Sequence, residues 1–189
     1  MKSEDEAIKG NKVSLRPATQ EDRRMIYEWM ANSDITSSMM GMPKFPDVLV
    51  PTWEEFSSDY EPYYFDGSKP NLGRCFIILT DGKPIGMVNY NEIDESRKRT
   101  ELDIWMSSER NCGKEYGTDA LETLTCFLYQ EYGIVEFIMR PSARNSRAVH
   151  SYEKIGFHRI DISPEQEGAE FGPGNYYDSF VLVKRLPSG

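Results

Sequence analysis

The chain has 189 residues, 39% of them hydrophobic and 12% aromatic, which suits one domain with a packed core and excludes a disordered chain. No apolar run approaches the roughly 20 residues that span a bilayer, so no membrane partner is expected. A net charge of −9 disfavours nucleic acid, whose binding rests on cations meeting phosphates; it suits a cationic substrate as readily as plain solubility.

Residues 1–11 carry both signs of charge without an apolar core and read as a flexible N-terminal tail rather than a secretory signal, leaving 12–187 as a single domain. Residues 13–17 alternate and end at a proline, as a short strand does. Thr19 or Glu21 opens a helix reaching Asn32, with Met25, Ile26, Trp29 and Met30 on one face. The Ser-, Met-, Gly- and Pro-rich stretch 34–51 reads as a loop. Thr52 and Glu55 have capping-box spacing and start a helix that ends near Tyr60, ahead of Pro62. Strands at 74–80 and 84–93 flank the hairpin signal Asp81-Gly82. A third strand covers 100–106, with Leu102, Ile104 and Met106 on one face and Glu101, Asp103 and Trp105 on the other. Ala120, Leu121, Leu124, Phe127 and Leu128 follow helical period up to Gly133. A strand at 134–140, a helix from Asn145 to Ile155, and closing strands at 157–162 and 177–184 complete the chain, the last two joined by a long loop at 163–175. The order β-α-α-β-β-β-α-β-α-β-β describes an α/β fold, a mixed sheet with helices on its faces.

Two segments carry chemistry. The turn Arg110-Asn111-Cys112-Gly113-Lys114-Glu115-Tyr116-Gly117-Thr118 joins a strand to a helix; its glycines let backbone approach a ligand, and the free N–H groups of the helix start form an anion site suited to a pyrophosphate. Arg110 and Lys114 add positive charge. A turn that merely connects strand to helix would read similarly. Asn145 and Tyr152 lie seven residues apart, so an amide and a phenol share one helix face; a cap and a packed aromatic would show the same spacing. Cysteines at 75, 112 and 126 are irregularly spaced, which argues against a disulfide framework and for a reducing cytoplasm. His150 and His158 stand in no ligand-spaced cluster, so no metal is expected.

From about Val13 to Leu186 the chain resembles the GNAT superfamily of N-acetyltransferases. Arg110, Gly113 and Gly117 match its first motif, [Q/R]-x-x-G-x-[G/A] with a further glycine; Asn145, Tyr152, Gly156 and Phe157 match its second. Glu115 departs, standing where the family has Gly or Ala; a carboxylate aimed inward would repel a pyrophosphate, whereas one aimed at solvent would leave the backbone N–H usable.

The resemblance implies a GNAT-like acyl-CoA N-acyltransferase fold, a central twisted mixed sheet with helices on both faces. It implies acetyl-CoA as co-substrate, its pyrophosphate on backbone N–H groups of residues 111–118 and its pantetheine arm along Ile104, Trp105 and Met106, where the strand splays from 134–140. Asn145 would bond the arm, a backbone N–H near Trp105 would steady the developing oxyanion, and Tyr152 would protonate the departing thiolate. Asp103 is the first candidate for the base that frees the amine, and Glu101, on the same face, is the second. One of them could instead pair with Arg97 or Arg99 across strands.

Within the superfamily the chain is similar to the ribosomal-protein N-terminal acetyltransferase branch and to aminoglycoside 6′-N-acetyltransferases, where a catalytic aspartate falls at the position of Asp103. A small polycationic acceptor, a protein N-terminus, and a sensor that binds acyl-CoA without turnover are all compatible with this. The acceptor side is expected in 34–66 and 163–175; the aromatics Trp53, Tyr60, Tyr63, Tyr64 and Phe65 there suit a cation held over rings, a core, or the surface of a homodimer equally. No G-x-S-x-G elbow is present, which disfavours a hydrolase.

Overall fold

A computed structural model describes residues 6–187. Strands β1 (Ile8–Lys9), β2 (Ser14–Pro17), β3 (Arg74–Thr80), β4 (Lys83–Tyr90), β5 (Arg99–Met106), β6 (Glu136–Met139), β7 (His158–Arg159) and β8 (Leu182–Arg185) form one sheet in the order β1-β2-β3-β4-β5-β6-β8-β7. All neighbours are antiparallel except β5 and β6. The helices are α1 (Arg23–Asn32), α2 (Thr36–Met39), α3 (Trp53–Asp59), α4 (Tyr63–Asp66), α5 (Tyr116–Tyr132), α6 (Ser146–Lys154) and α7 (Pro164–Phe171).

Strand alternation divides the interior in two. Phe76, Ile78, Val88 and Leu102 face α5, whose Leu121, Leu124 and Leu128 are fully buried. Ile77, Met87 and Trp105 face the other way, onto Ile26 of α1, Phe56 of α3 and Phe65 of α4. Burying each such side chain stabilises the fold by roughly 2 kcal/mol. Helices therefore cover both faces of the mixed sheet, as expected.

Local chemistry explains most element ends. Thr52 Oγ1 accepts from Glu55 N–H at 3.2 Å while the Glu55 carboxylate accepts from Thr52 N–H at 2.7 Å, a closed capping box. Asp81 (φ 48°) and Gly82 (φ 72°) turn β3 into β4 with both central residues left-handed. Gly133 (φ 66°) closes α5.

Several expectations change: the stretch 34–51 read as a loop contains α2, and the strand expected over 157–162 is reduced to β7. Residues 1–5 of the expected tail lie outside the described residues, but Ile8 and Lys9 are no tail: they pair with Leu15 and Ser14 of β2. The 163–175 loop contains α7, because Ser163 and Gln166 form a capping box and Pro164 fits the first helical position. The last strand is Leu182–Arg185 rather than 177–184, because its partner segment reaches Pro141, which has no N–H for the ladder, leaving only a Ser142–Ser179 bridge beyond.

The feature that positions the site is a wedge. β5 and β6 pair only through Arg99–Glu136, Thr100–Phe137 and Glu101–Ile138. β5 continues alongside β4 as far as Met106. Its other edge, from Leu102 onward, therefore opens away from β6. Among the described residues no helix is long and apolar enough to cross a membrane.

Candidate active site

Two cavities meet in the wedge. The first, about 440 Å³, runs between the α5 start and α6; the second, about 450 Å³, lies on the opposite face under residues 48–51 and 175–176. Met39, Ile104, Asn145 and Tyr152 line both.

The first cavity is built around an open helix end. No described residue accepts a hydrogen bond from the backbone N–H of Tyr116, Gly117 or Thr118; intrahelical bonding begins at Asp119, which donates to Glu115 at 3.0 Å. These donors and the helix dipole favour an anion. Glu115 precedes the helix with φ 66°, a conformation that favours glycine. That geometry turns its carboxylate to solvent, where it pairs with Lys12. The departure at 115 thus leaves the backbone donors available.

Ile104, Met106, Asn111, Cys112, Gly113, Glu115, Gly117, Thr118, Asn145 and Tyr152 line this cavity. Arg110, Lys114, Tyr116 and Trp105 do not. Arg110 and Lys114 are exposed. Tyr116 packs against the α5-side core. The Trp105 indole belongs to the opposite core and donates to the Trp29 carbonyl at 3.0 Å. Strand alternation has the same effect on its backbone: Glu101 C=O and Ser107 N–H both bond toward β4, so odd residues of β5 face β4, while the N–H groups of Ile104 and Met106 face the open edge.

The cations in the cavity are instead Lys12, Arg147 and Lys154. Arg147 also bridges Glu109 at 2.8 Å. Lys12 and Asn11 reach the cavity because the β1–β2 turn is tied to α5: the Asp119 carboxylate accepts from the N–H groups of Asn11, Lys12 and Val13 at 3.1, 2.7 and 2.9 Å. Nothing in a mixed-charge N-terminal stretch signals that role. Ser151 and Lys154 follow Arg147 at four and seven residues, on a face of α6 that the Asn145–Tyr152 spacing does not mark.

Asn145 caps α6, its Oδ1 accepting from Ala148 N–H at 3.2 Å; its Nδ2 meets only the Met39 sulfur, a weak acceptor that leaves it available to a ligand. Tyr152 is buried, its hydroxyl bonds no described residue, and burial pushes the phenol above its ordinary value.

The second cavity holds the carboxylates. Asp103 is half-buried among Tyr60, Tyr64, Tyr152 and Tyr176, with Oδ2 accepting from Asn91 Nδ2 at 2.8 Å and Asn89 Nδ2 at 3.4 Å. Burial, followed by the Asp103 charge, lifts the Tyr176 phenol to about 12. Glu101 sits apart: Arg140 grips it with two bonds of 2.8 Å and also donates to the carbonyls of Gly172 and Phe171. Burial raises this carboxyl while the Arg140 bridge pulls it down. Its partner is thus Arg140 rather than Arg97 or Arg99, which share Glu170 instead. A carboxylate committed to a bidentate pair is a structural strut and a poor proton acceptor for a substrate. Of the expected acceptor-side aromatics, Tyr60 and Tyr64 line the cavity. Trp53 stacks on Phe56, and Phe65 is core. Among the described residues no cluster of His, Cys, Asp and Glu could hold a metal ion.

The family model described as "Acetyltransferase (GNAT) domain" matches residues 12–158. The chain is 27% identical over 145 residues to a spermidine N(1)-acetyltransferase of Escherichia coli (strain K12), covering 77% of this chain and 72% of that one. It is 26% identical over 158 residues to an aminoglycoside N(6′)-acetyltransferase type 1 of Klebsiella pneumoniae, covering 78% and 74%. The crystal structure of a spermidine N-acetyltransferase from Vibrio cholerae with CoA and spermine superposes with a TM-score of 0.69 at 20% identity, over 94% of this chain and 97% of the other.

Proposed function

Because the chain belongs to the GNAT acetyltransferase family and is an acetyl-CoA-dependent N-acetyltransferase, we propose that a small polycationic amine is its acceptor, with Asp103 as the base and Tyr152 as the acid. One observation carries this reading: the anion-binding cavity and the aromatic, carboxylate-bearing cavity meet at Tyr152, Asn145 and Ile104. The relatives named for spermidine and for aminoglycosides support the same acceptor class.

The residues present fit the co-substrate. Backbone N–H groups of 116–118, with Lys12, Arg147 and Lys154, would hold the diphosphate end. The open edge of β5 and the Asn145 amide would hold the pantetheine arm, and the N–H of Ile104 or Met106 would face the carbonyl oxygen. Bound there, acetyl-CoA supplies an activated acyl carbonyl. On the other side Asp103 would attract the ammonium, with Tyr60, Tyr64 and Tyr176 around it, and take its proton, since a protonated amine cannot attack. Tyr152, kept neutral by burial, would give its proton to the departing sulfur. The three cysteines form no disulfide, which is compatible with work in the cytoplasm.

The test is acetyl-CoA turnover with spermidine, an aminoglycoside and a peptide bearing a free N-terminus, for wild type and Asp103→Asn. The polyamine or the aminoglycoside should be the better acceptor. Asp103→Asn should lower kcat/KM on the order of a hundredfold at pH 7 and less above pH 9, where more amine is already neutral. Preference for the peptide would overturn the acceptor class; an unchanged pH profile would remove Asp103 as the base.

A further inference from the structure

We infer that Asn91, oriented by Tyr64, is a positioning residue for Asp103: it pins one carboxylate oxygen, favours the ionised form and leaves the other oxygen to the acceptor. The inference rests on the reading of Asp103 as the base.

Asn91 follows β4 directly, and its main chain is fixed to β5. Its N–H donates to the Glu101 carbonyl at 2.9 Å, and its own carbonyl accepts from Thr100 Oγ1 at 2.8 Å. The side chain has one orientation available. Its Oδ1 accepts from the Tyr64 hydroxyl at 2.9 Å and from Asn89 Nδ2 at 3.0 Å, which uses both lone pairs. The amide must then present its NH₂ to Asp103, and Nδ2 lies 2.8 Å from Asp103 Oδ2. Asn89, fully buried, adds a longer bond of 3.4 Å to the same oxygen. No described residue donates to Asp103 Oδ1, the oxygen left for a substrate.

The charges around Asp103 show why these amides matter. Facing it are Glu101 from its own strand, Cys75 from β3, Tyr60 beyond α3, Tyr64 from α4, Tyr152 from α6, and Tyr176. Asp59 also lines the cavity. Every one of these groups is neutral or anionic. The nearby cation, Arg140, is bound to Glu101. A half-buried carboxylate without a cation depends on dipolar donors for its charge, and Asn91 supplies the shortest of them.

The test is a carbon-13 NMR titration of side-chain carboxyls in the full chain without coenzyme, the Asp103 signal being assigned by its loss in Asp103→Asn. Removing a donor to the ionised form must raise the titration midpoint. Asn91→Ala should move it upward by about one pH unit. Tyr64→Phe deletes a single oxygen, cannot be confused with misfolding, and should move it the same way by less. Midpoints unmoved in both variants overturn the inference. The acid limb of kcat/KM with spermidine at the Asp103 midpoint, distinct from the limb that the amine's own deprotonation leaves at high pH, separates this from failure of the underlying reading. If Asp103→Asn abolishes the limb and the two variants shift it to higher pH, the inference stands. If Asp103→Asn abolishes it and the variants lower activity without moving it, the positioning role falls and the base remains. If Asp103→Asn retains the limb, both fall.

Discussion

At the scale of single residues the proposed acid is Tyr152. Burial favours the neutral phenol, so its pKa rises and the proton stays in place through neutral and mildly basic pH. Wild-type kcat should therefore show no loss from Tyr152 ionisation below about pH 10, the ordinary phenol value. Tyr152→Phe keeps the ring and its packing against Phe157. It should lower kcat on the order of a hundredfold with little change in coenzyme A affinity by calorimetry. A kcat close to wild type would mean that the thiolate leaves unassisted. The pairing of Asn145 with Tyr152 was legible because helical spacing alone places both on one face. The fate of Glu115 was not. Its carboxylate points outward because the residue is left-handed and because Lys12, brought near by a distant hairpin, receives it. Neither fact is local to the motif. Glu101 and Asp103 look equivalent in the sequence, two residues apart on one face; they diverge because the loop after α7 delivers its carbonyls to Arg140, which takes Glu101 and leaves Asp103 to neutral amides.

At the scale of elements, the acceptor cavity is closed by two loops that Arg144 joins. Its guanidinium bonds Asp47 of the 40–51 loop at 2.9 Å and Asp178 of the 172–181 loop at 2.8 Å, and lies over the rings of Phe45 and Tyr177. Tyr176 reinforces the junction, donating to the Met39 carbonyl at 3.4 Å. Leu49 and Asn175, from the same two loops, line the cavity. Arg144 itself lines neither cavity, so its effect should fall on the acceptor alone. Arg144→Ala should raise the amine KM roughly threefold to tenfold, the reach of partly exposed ion pairs acting together, and leave coenzyme A affinity unchanged. Salt should raise the wild-type KM toward that of the variant, since the bridges are screened. Equal losses in amine and coenzyme binding would show a general loosening instead. These loops also explain where elements were misjudged. Hairpins and caps such as Asp81-Gly82 and Thr52–Glu55 carry their signal in adjacent residues, and their elements fall close to where the sequence puts them. Residues 178–181 keep the β6–β8 register through the Ser142–Ser179 bridge and the Phe180 N–H to Pro141 carbonyl bond, but Pro141 has no N–H to return, and the regular ladder stops there. α7 was hidden because none of its residues is buried, which leaves no apolar periodicity to read.

At the scale of the molecule, the site depends on long-range pairings that no window of sequence displays. The wedge exists because β6 lies parallel to β5 and shares only three pairs with it. The far wall of the coenzyme cavity exists because the first hairpin is lashed to α5 across more than a hundred positions. Asp119 makes that lashing: it is buried, and its carboxylate serves three consecutive backbone donors. Gly10 beside it has no room for a side chain, since a Cβ there would lie 2.4 Å from Thr123 Oγ1. Asp119→Ala leaves three N–H groups without their acceptor and should cost about 3 kcal/mol, read as a urea-midpoint shift, with Tm falling by about 8 °C. Two effects on coenzyme binding then oppose each other. Removing a negative charge beside an anion site strengthens binding by Coulomb attraction alone. Releasing the hairpin withdraws Asn11 and Lys12 from the cavity wall and weakens it. The variant Asp119→Asn, which removes the charge but keeps an acceptor oxygen, separates them. If the hairpin is a working wall, Asp119→Ala should bind coenzyme A more weakly than wild type while Asp119→Asn binds at least as well as Asp119→Ala. Tighter binding by Asp119→Ala than by wild type would make the hairpin a brace for α5 with no share in the ligand.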